Sequence, residues 1–177
     1  MAAGIPSDSI ARWLGSERIV RAMPNTPALI GQGVTALFAR VAAIDARALV
    51  EQVLAPTGQM LWVDRESDLD AVTAMSGSGP AYVFYFIEAM TEAGIDMGLT
   101  PEQAHQLAVG TFTGASALAS GSTEPPSVLR ERVTSKGGTT YAAITSLEGA
   151  QVKAKFKDAM RAAQARAKEL GEEFGKA

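Results

Sequence analysis

The chain has 177 residues, 47% hydrophobic and 20% charged, with a net charge of −3, no cysteine and one histidine. Charges of both signs are interspersed, which excludes a basic face for nucleic acid and a polybasic membrane contact. Missing thiols exclude disulfides and thiolate chemistry, and one imidazole excludes a zinc site built on several, so no metal is expected. No apolar run approaches the roughly 20 residues of a membrane span, and the start lacks the basic and apolar regions of a signal peptide. The expectation is a cytoplasmic protein without nucleic-acid or membrane partners.

Residues 1–64 and 65–177 read as different domains. In the first, "ERIVRAMP" (17–24) and "VTALFA" (34–39) are short β-rich runs bounded by Gly, Pro or Asn. "AIDARALVEQVLAP" (43–56) predicts a helix with Leu49, Val50, Val53 and Leu54 on one side, stopped by Pro56. "MLWVD" (60–64) is a third strand. Strands alternating with a helix indicate an α/β layer, but one too small to close by itself, so it reads as the tail of a larger sheet.

From Asp68 onward only helices are predicted. "DLDAVTAM" (68–75) ends in "SGSGP", and Pro80 suits the first turn of the long apolar helix "PAYVFYFIEAMTEAGIDMG" (80–98). Thr100, Pro101 and Gln103 form a capping-box start for a helix over 101–120. A short helix over 125–133, another over 140–149 and a polar-faced one over 150–174 follow, the last with Phe156, Met160 and Ala163 at helical spacing. "YVFYFIEAM" is apolar nearly all round, which requires burial on all sides. Gly110 and Gly114, one turn apart, permit close approach of another backbone. Both features point to a core shared with a second chain, the alternative being a self-contained monomeric bundle.

Two breaks between helices stand out as places for chemistry. In "SKGGTT" (135–140) glycines let backbone N–H groups approach a ligand, the following helix start offers unpaired donors, and Ser135, Thr139 and Thr140 add hydroxyls. The same residues equally suit a helix C-cap followed by an N-cap. "SGSGP" (76–80) reads in the same two ways, as a second cradle of N–H groups and hydroxyls or as a plain turn. If the two breaks face each other, an amino-acid-sized anion fits between them. His105 lies in a helix with no partner at ligand spacing; Glu66, Asp68 and Asp70 read as the acidic first turn of a helix, and Glu124 as a solvated loop residue. No nucleophile–base pair and no complete GxGxxG or P-loop occurs.

"DAVTAMSGSGPAYVF" and "PSVLRERVTSKGGTTYAA" closely resemble the two signature stretches of the Δ1-pyrroline-5-carboxylate reductase family. "RAMPNTP" and the opening "AAGI" resemble segments at the end of that family's dinucleotide-binding domain. The resemblance runs in order through nearly the whole chain. It implies a mainly α fold: an all-helical dimerisation and substrate-binding domain over 65–177, preceded over 1–64 by the last α/β elements of an incomplete Rossmann domain. It also implies reduction of the cyclic imine pyrroline-5-carboxylate to L-proline with NADPH or NADH. Thr73 would be catalytic, placing its hydroxyl near the ring nitrogen. Ser135, Gly137, Gly138, Thr139 and Thr140 would hold the substrate carboxylate, with Glu66 and Glu124 at further substrate positions. Ala2, Ala3, Pro24 and Asn25 would line the nicotinamide side.

Some relatives carry Asn where Arg132 stands here, and Arg132 is not counted as a site. The resemblance further implies a homodimer of interlocked helices, open to higher assembly. The family's glycine-rich phosphate loop has no counterpart in this sequence, so these 177 residues alone are expected to be inactive. The alternative is a non-catalytic helical dimer that binds substrate or proline only. A β-hydroxyacid dehydrogenase ranks lower, because its helical lysine motif has no counterpart here.

Overall fold

A computed structural model describes residues 4–175. The chain forms two compact units. One is assembled from the segment up to Ala81 together with the chain from Lys157 onward, and the other is Tyr82–Phe156.

The first unit is organised by a three-stranded sheet. Strand β1 is Val20–Met23, β2 is Gly33–Ala39 and β3 is Gly58–Trp62, in the order β1-β2-β3. β1 runs antiparallel to β2, pairing Val20 with Ala39 and Met23 with Ala36. β3 runs parallel to β2, with Gly33 opposite Gly58. As the middle strand, β2 is covered on both faces, which is why its residues form a near-continuous apolar run instead of an alternation; Thr35, Ala36 and Leu37 are fully buried. The other fully buried large side chain is Leu69 of helix α3 (Asp68–Val72).

Helix α1 (Ser7–Leu14) is an addition to the sequence reading. Its signals are short but present: Asp8 in the first turn and Gly15 in the left-handed conformation at its end. The helix foreseen over 43–56 divides into a 3₁₀ stretch, helix α2 (Arg47–Leu54) and a last 3₁₀ turn. Val50 and Leu54 are partly covered, whereas Leu49 and Val53 are exposed, so the four residues do not share one buried side. The last helix, α8 (Val152–Gly175), carries a covered stripe of Met160, Ala163, Ala167 and Leu170 at spacings of three and four. Its end meets the chain's beginning: the Ser9 hydroxyl donates to the Gly175 carbonyl at 3.4 Å. A Cβ placed on Gly4 would stand 3.1 Å from the Leu170 Cβ.

The second unit is all helix: most of α4 (Gly79–Asp96), α5 (Pro101–Ser120), α6 (Pro126–Arg132), α7 (Thr139–Gly149) and the start of α8. The capping box at Thr100 forms as read, the Thr100 hydroxyl accepting from Gln103 N–H and the Gln103 side chain accepting from Thr100 N–H. α4 and α5 touch at Gly94, where a Cβ would stand 2.9 Å from the Ala104 Cβ. Tyr82 and Phe86 pack on Phe156 with ring centroids 5.5 and 5.8 Å apart. The rest of α4 is open: Phe84 is 63% and Tyr85 69% exposed. Within one chain, the burial on all sides that the apolar composition requires is therefore incomplete.

Candidate active site

The "SGSGP" segment is not a loop. α3 passes into a single π-helical turn, Thr73–Gly77, and α4 follows with Ser78 alone between them. Backbone donors expected to face a ligand are spent inside the helix: Ser78 N–H donates to Thr73 O at 2.8 Å and Ala81 N–H to Ser78 O at 3.0 Å. Gly and Ser weaken an ordinary helix, and the turn absorbs one extra residue there, a distortion frequent at functional sites. Thr73 opens the turn. Its hydroxyl donates to Leu69 O at 2.7 Å, which commits the proton and leaves the oxygen free to accept.

The end of β1 lies against this turn. A Cβ on Gly77 would stand 2.6 Å from the Met23 methyl carbon, so a larger residue there would require the Met23 side chain to shift. Asn25 uses both ends of its amide, Oδ1 accepting from Val34 N–H at 2.9 Å and Nδ2 donating to Ser76 Oγ at 3.2 Å. Pro24 is half-buried beside it. Ala2 and Ala3 lie outside the described residues.

Glu66 sits just before α3 and is held by three donors. Ser7 N–H at 2.6 Å and Arg21 at 2.9 Å reach one oxygen, and the Ser7 hydroxyl at 2.5 Å reaches the other. The Arg21 and Glu66 side chains are 12% and 24% exposed, so this pair joins the start of α1 and strand β1 to the approach to α3 largely out of water.

One turn on, burial raises the Asp70 carboxyl above its ordinary range; Arg21 and Lys168 partly oppose that, and Glu66 adds to it. In the window above the unfolded value the folded chain therefore binds more protons, and the stability Asp70 contributes falls as pH rises through it. Asp70→Asn is expected to raise the melting temperature at pH 7. That gain should shrink to nothing as pH falls below the carboxylate range, a trend read from melts at pH 7 and pH 3.

The second candidate loop lies in the helical unit. α6 ends with the Thr134 hydroxyl on Arg130 O at 2.6 Å. Gly137 takes φ +76°, a left-handed value that favours glycine, and Gly138 is the residue before α7. A Cβ on Gly138 would stand 2.6 Å from Ser135 Oγ and 3.2 Å from Ser135 O, so a side chain there would force the Ser135 hydroxyl to turn away. No side chain caps α7, which leaves the first-turn donors beginning at Thr139 facing outward. Ser135, Lys136, Gly137 and Thr139 are exposed, and Gly138 and Thr140 partly covered. Nearby, Glu124 accepts from Arg132 at 2.6 Å. Among the described residues no group of acidic or imidazole side chains is arranged to hold a metal, and no helix is long and apolar enough to cross a membrane.

A family model described as pyrroline-5-carboxylate reductase dimerisation matches residues 66–170. The chain belongs to the pyrroline-5-carboxylate reductase family. It is 46% identical over 177 residues to the pyrroline-5-carboxylate reductase of Pseudomonas aeruginosa, an alignment that takes in 99% of this chain and 65% of that relative. Among solved structures, a pyrroline-5-carboxylate reductase from Coxiella burnetii superposes with a TM-score of 0.90 at 42% identity, over 95% of this chain and 63% of that one. The Plasmodium falciparum pyrroline carboxylate reductase with NADP bound gives 0.88 at 32% identity, over 96% and 68%. This family chain thus spans about two thirds of the length of the relatives it matches.

Three features of this reductase-family chain escape sequence reading: the π-turn, the Ser7–Glu66–Arg21 knot and the Asn25–Ser76 bond. An arginine inside the apolar strand "IVRAM" was the one available hint, since a charge there calls for a partner.

Proposed function

We propose that this chain carries the substrate-binding and dimer-forming part of an NAD(P)H-dependent pyrroline-5-carboxylate reductase, which makes L-proline in the cytoplasm. In this reading residues 1–64 end a dinucleotide-binding domain and 65–177 are the dimerisation domain. The observation that carries it is the pairing of family membership with an uncapped, glycine-stepped start to α7. That start presents outward N–H groups and hydroxyls where a carboxylate has to be held.

Ser135, Gly137, Gly138, Thr139 and Thr140 hold the substrate carboxylate through backbone N–H groups and hydroxyls. The Thr73 hydroxyl donates its hydrogen bond to Leu69 O, so its oxygen accepts from the N–H of the protonated imine and helps keep the ring carbon electrophilic. Orientation and charge placement suffice for such a self-activated substrate, which agrees with the lack of a strong acid–base pair. In this reading Glu66, tied to Ser7 and Arg21, and Glu124, tied to Arg132, stand at further substrate positions.

The reduced nicotinamide supplies hydride when bound. The residues present fit only that end of the dinucleotide: Pro24 and Asn25 at the end of β1, with Ala2 and Ala3 from the preceding segment. No glycine-rich strand–loop–helix for the diphosphate occurs in the sequence. Two copies pair through the open apolar face of α4 and the glycine face at Gly110 and Gly114, and further assembly of dimers is compatible with this.

The test is NADPH oxidation by the purified 177-residue chain with pyrroline-5-carboxylate, alongside calorimetry with L-proline. The expected result is proline binding without turnover. Robust turnover would mean that residues assigned here to structure bind the nucleotide. Thr140→Ala is expected to weaken proline binding about tenfold by removing one hydrogen bond to a charged group, with the dimer intact. Unchanged affinity would remove Thr140 from the site.

A further inference from the structure

We infer that Asn25 is a positioning residue, whose side-chain amide fastens the π-turn carrying Thr73 to the end of β1. The inference rests on the proposed role of Thr73 and adds the element that fixes it in place. A π-turn bonds each N–H to the carbonyl five residues back, a wider and weaker arrangement than the α-helix, and it persists only where its surroundings hold it. Two of the contacts that hold it come from the end of β1 and the residues after it. On the apolar side the Met23 methyl group fills the space that a side chain at Gly77 would take. On the polar side the segment after β1 is tied to the turn by Asn25 Nδ2 donating to Ser76 Oγ at 3.2 Å.

Asn25 is itself held at its other end. Val34 N–H, the second residue of β2, can only donate, so the oxygen of the amide must face it and the NH₂ must face Ser76. One planar group therefore ties the start of β2 to the side chain of Ser76, a residue 51 positions after Asn25 in the sequence. With both ends occupied, the amide is a strut, and Asn25 meets a neighbouring ligand through its backbone and the adjoining Pro24.

The consequence is geometric. Pro24 and Asn25 stand where the hydride donor is proposed to lie, and Thr73 where the ring nitrogen is proposed to lie. Without the strut the turn can return to α-helical bonding, in which Thr73 O accepts from the residue four ahead instead of Ser78. That rotates the following residues by about 100° per residue of register and alters the spacing between the two positions.

Amide hydrogen exchange and proline calorimetry on the 177-residue chain test the strut. Ser76→Ala and Asn25→Leu are expected to raise exchange across 73–78 about tenfold and to weaken proline binding about tenfold. Asn25→Asp, whose carboxylate still accepts from Val34 N–H and can accept from the Ser76 hydroxyl, is expected to stay within about twofold of the parent in both. In a Thr73→Val background Ser76→Ala should bring no further loss of affinity, because it acts through Thr73. Unchanged exchange in Ser76→Ala would overturn the strut even if Asn25→Leu fails to fold. An undiminished further loss in the Thr73→Val background would overturn the positioning role and make Ser76 a ligand contact. A parent chain that binds no proline would defeat the reductase reading, while the exchange ratio would still decide the strut.

Discussion

Gly58→Ala is expected to cost about 3–5 kcal/mol and to lower the melting temperature by about 10–15 °C. Gly58 opens β3 at φ +128° and ψ −144°, a conformation that residues with a Cβ avoid. The space is closed as well. A Cβ there would overlap the backbone of Gly33, its register partner on β2, and a Cβ on Gly33 would in turn stand 2.7 Å from the Ala28 Cβ. The clash cannot be relieved by turning a side chain, because backbone meets backbone on both sides. Gln59→Ala, at the exposed next position on the same strand, is the control and should shift the melt by less than about 2 °C. A mild effect at Gly58 would mean that the parallel pairing of β2 and β3 yields readily at its start.

Phe84→Asp is expected to convert the dimer to a monomer at micromolar concentration. A light-scattering mass would then fall from twice 18.5 kDa to 18.5 kDa. Phe84 is exposed in the chain beside the equally open Tyr85, on a helix whose other face already packs on Phe156. In a two-fold dimer each substitution counts twice. Losing about 2–3 kcal/mol of ring burial per copy weakens association about a thousandfold or more, before the cost of desolvating a carboxylate is added. A variant that keeps the doubled mass with unchanged concentration dependence would move the interface away from this face of α4.

What could be read from the sequence divides by range. The helix start at Thr100 was legible because everything that makes it lies within four residues: hydroxyl, proline and glutamine. The three strands were legible because β-rich runs are bounded by Gly, Pro or Asn. The split of 43–56 was not, since Leu49 and Val53 carry the right hydrophobicity and differ only in what covers them. "SGSGP" was misread for the same reason. Its composition is that of a turn, and the contacts that keep it helical come from Met23 and Asn25, about fifty residues earlier. The start of α7 was legible to within one residue, at Thr139 where the sequence predicted Thr140, because the glycines just before it mark the break locally. Asn25 was singled out by resemblance for one side of the cofactor, while its two hydrogen bonds identify it as a brace between strand and helix.

The contact of Ser9 with Gly175, and of Gly4 with Leu170, has a bearing on how the polypeptide is made. Domains commonly fold in the order in which they leave the ribosome, at about 5–20 residues per second. Here the sheet emerges early, yet α8, which completes its unit, is synthesised only after the whole of Tyr82–Phe156. Tyr82–Phe156 has all of its own residues first and is free to fold while the earlier strands still wait for their final partner. Released chains ending shortly after Phe156 should therefore hold a protease-resistant helical core once two copies pair, and a cleavable N-terminal segment up to Ala81.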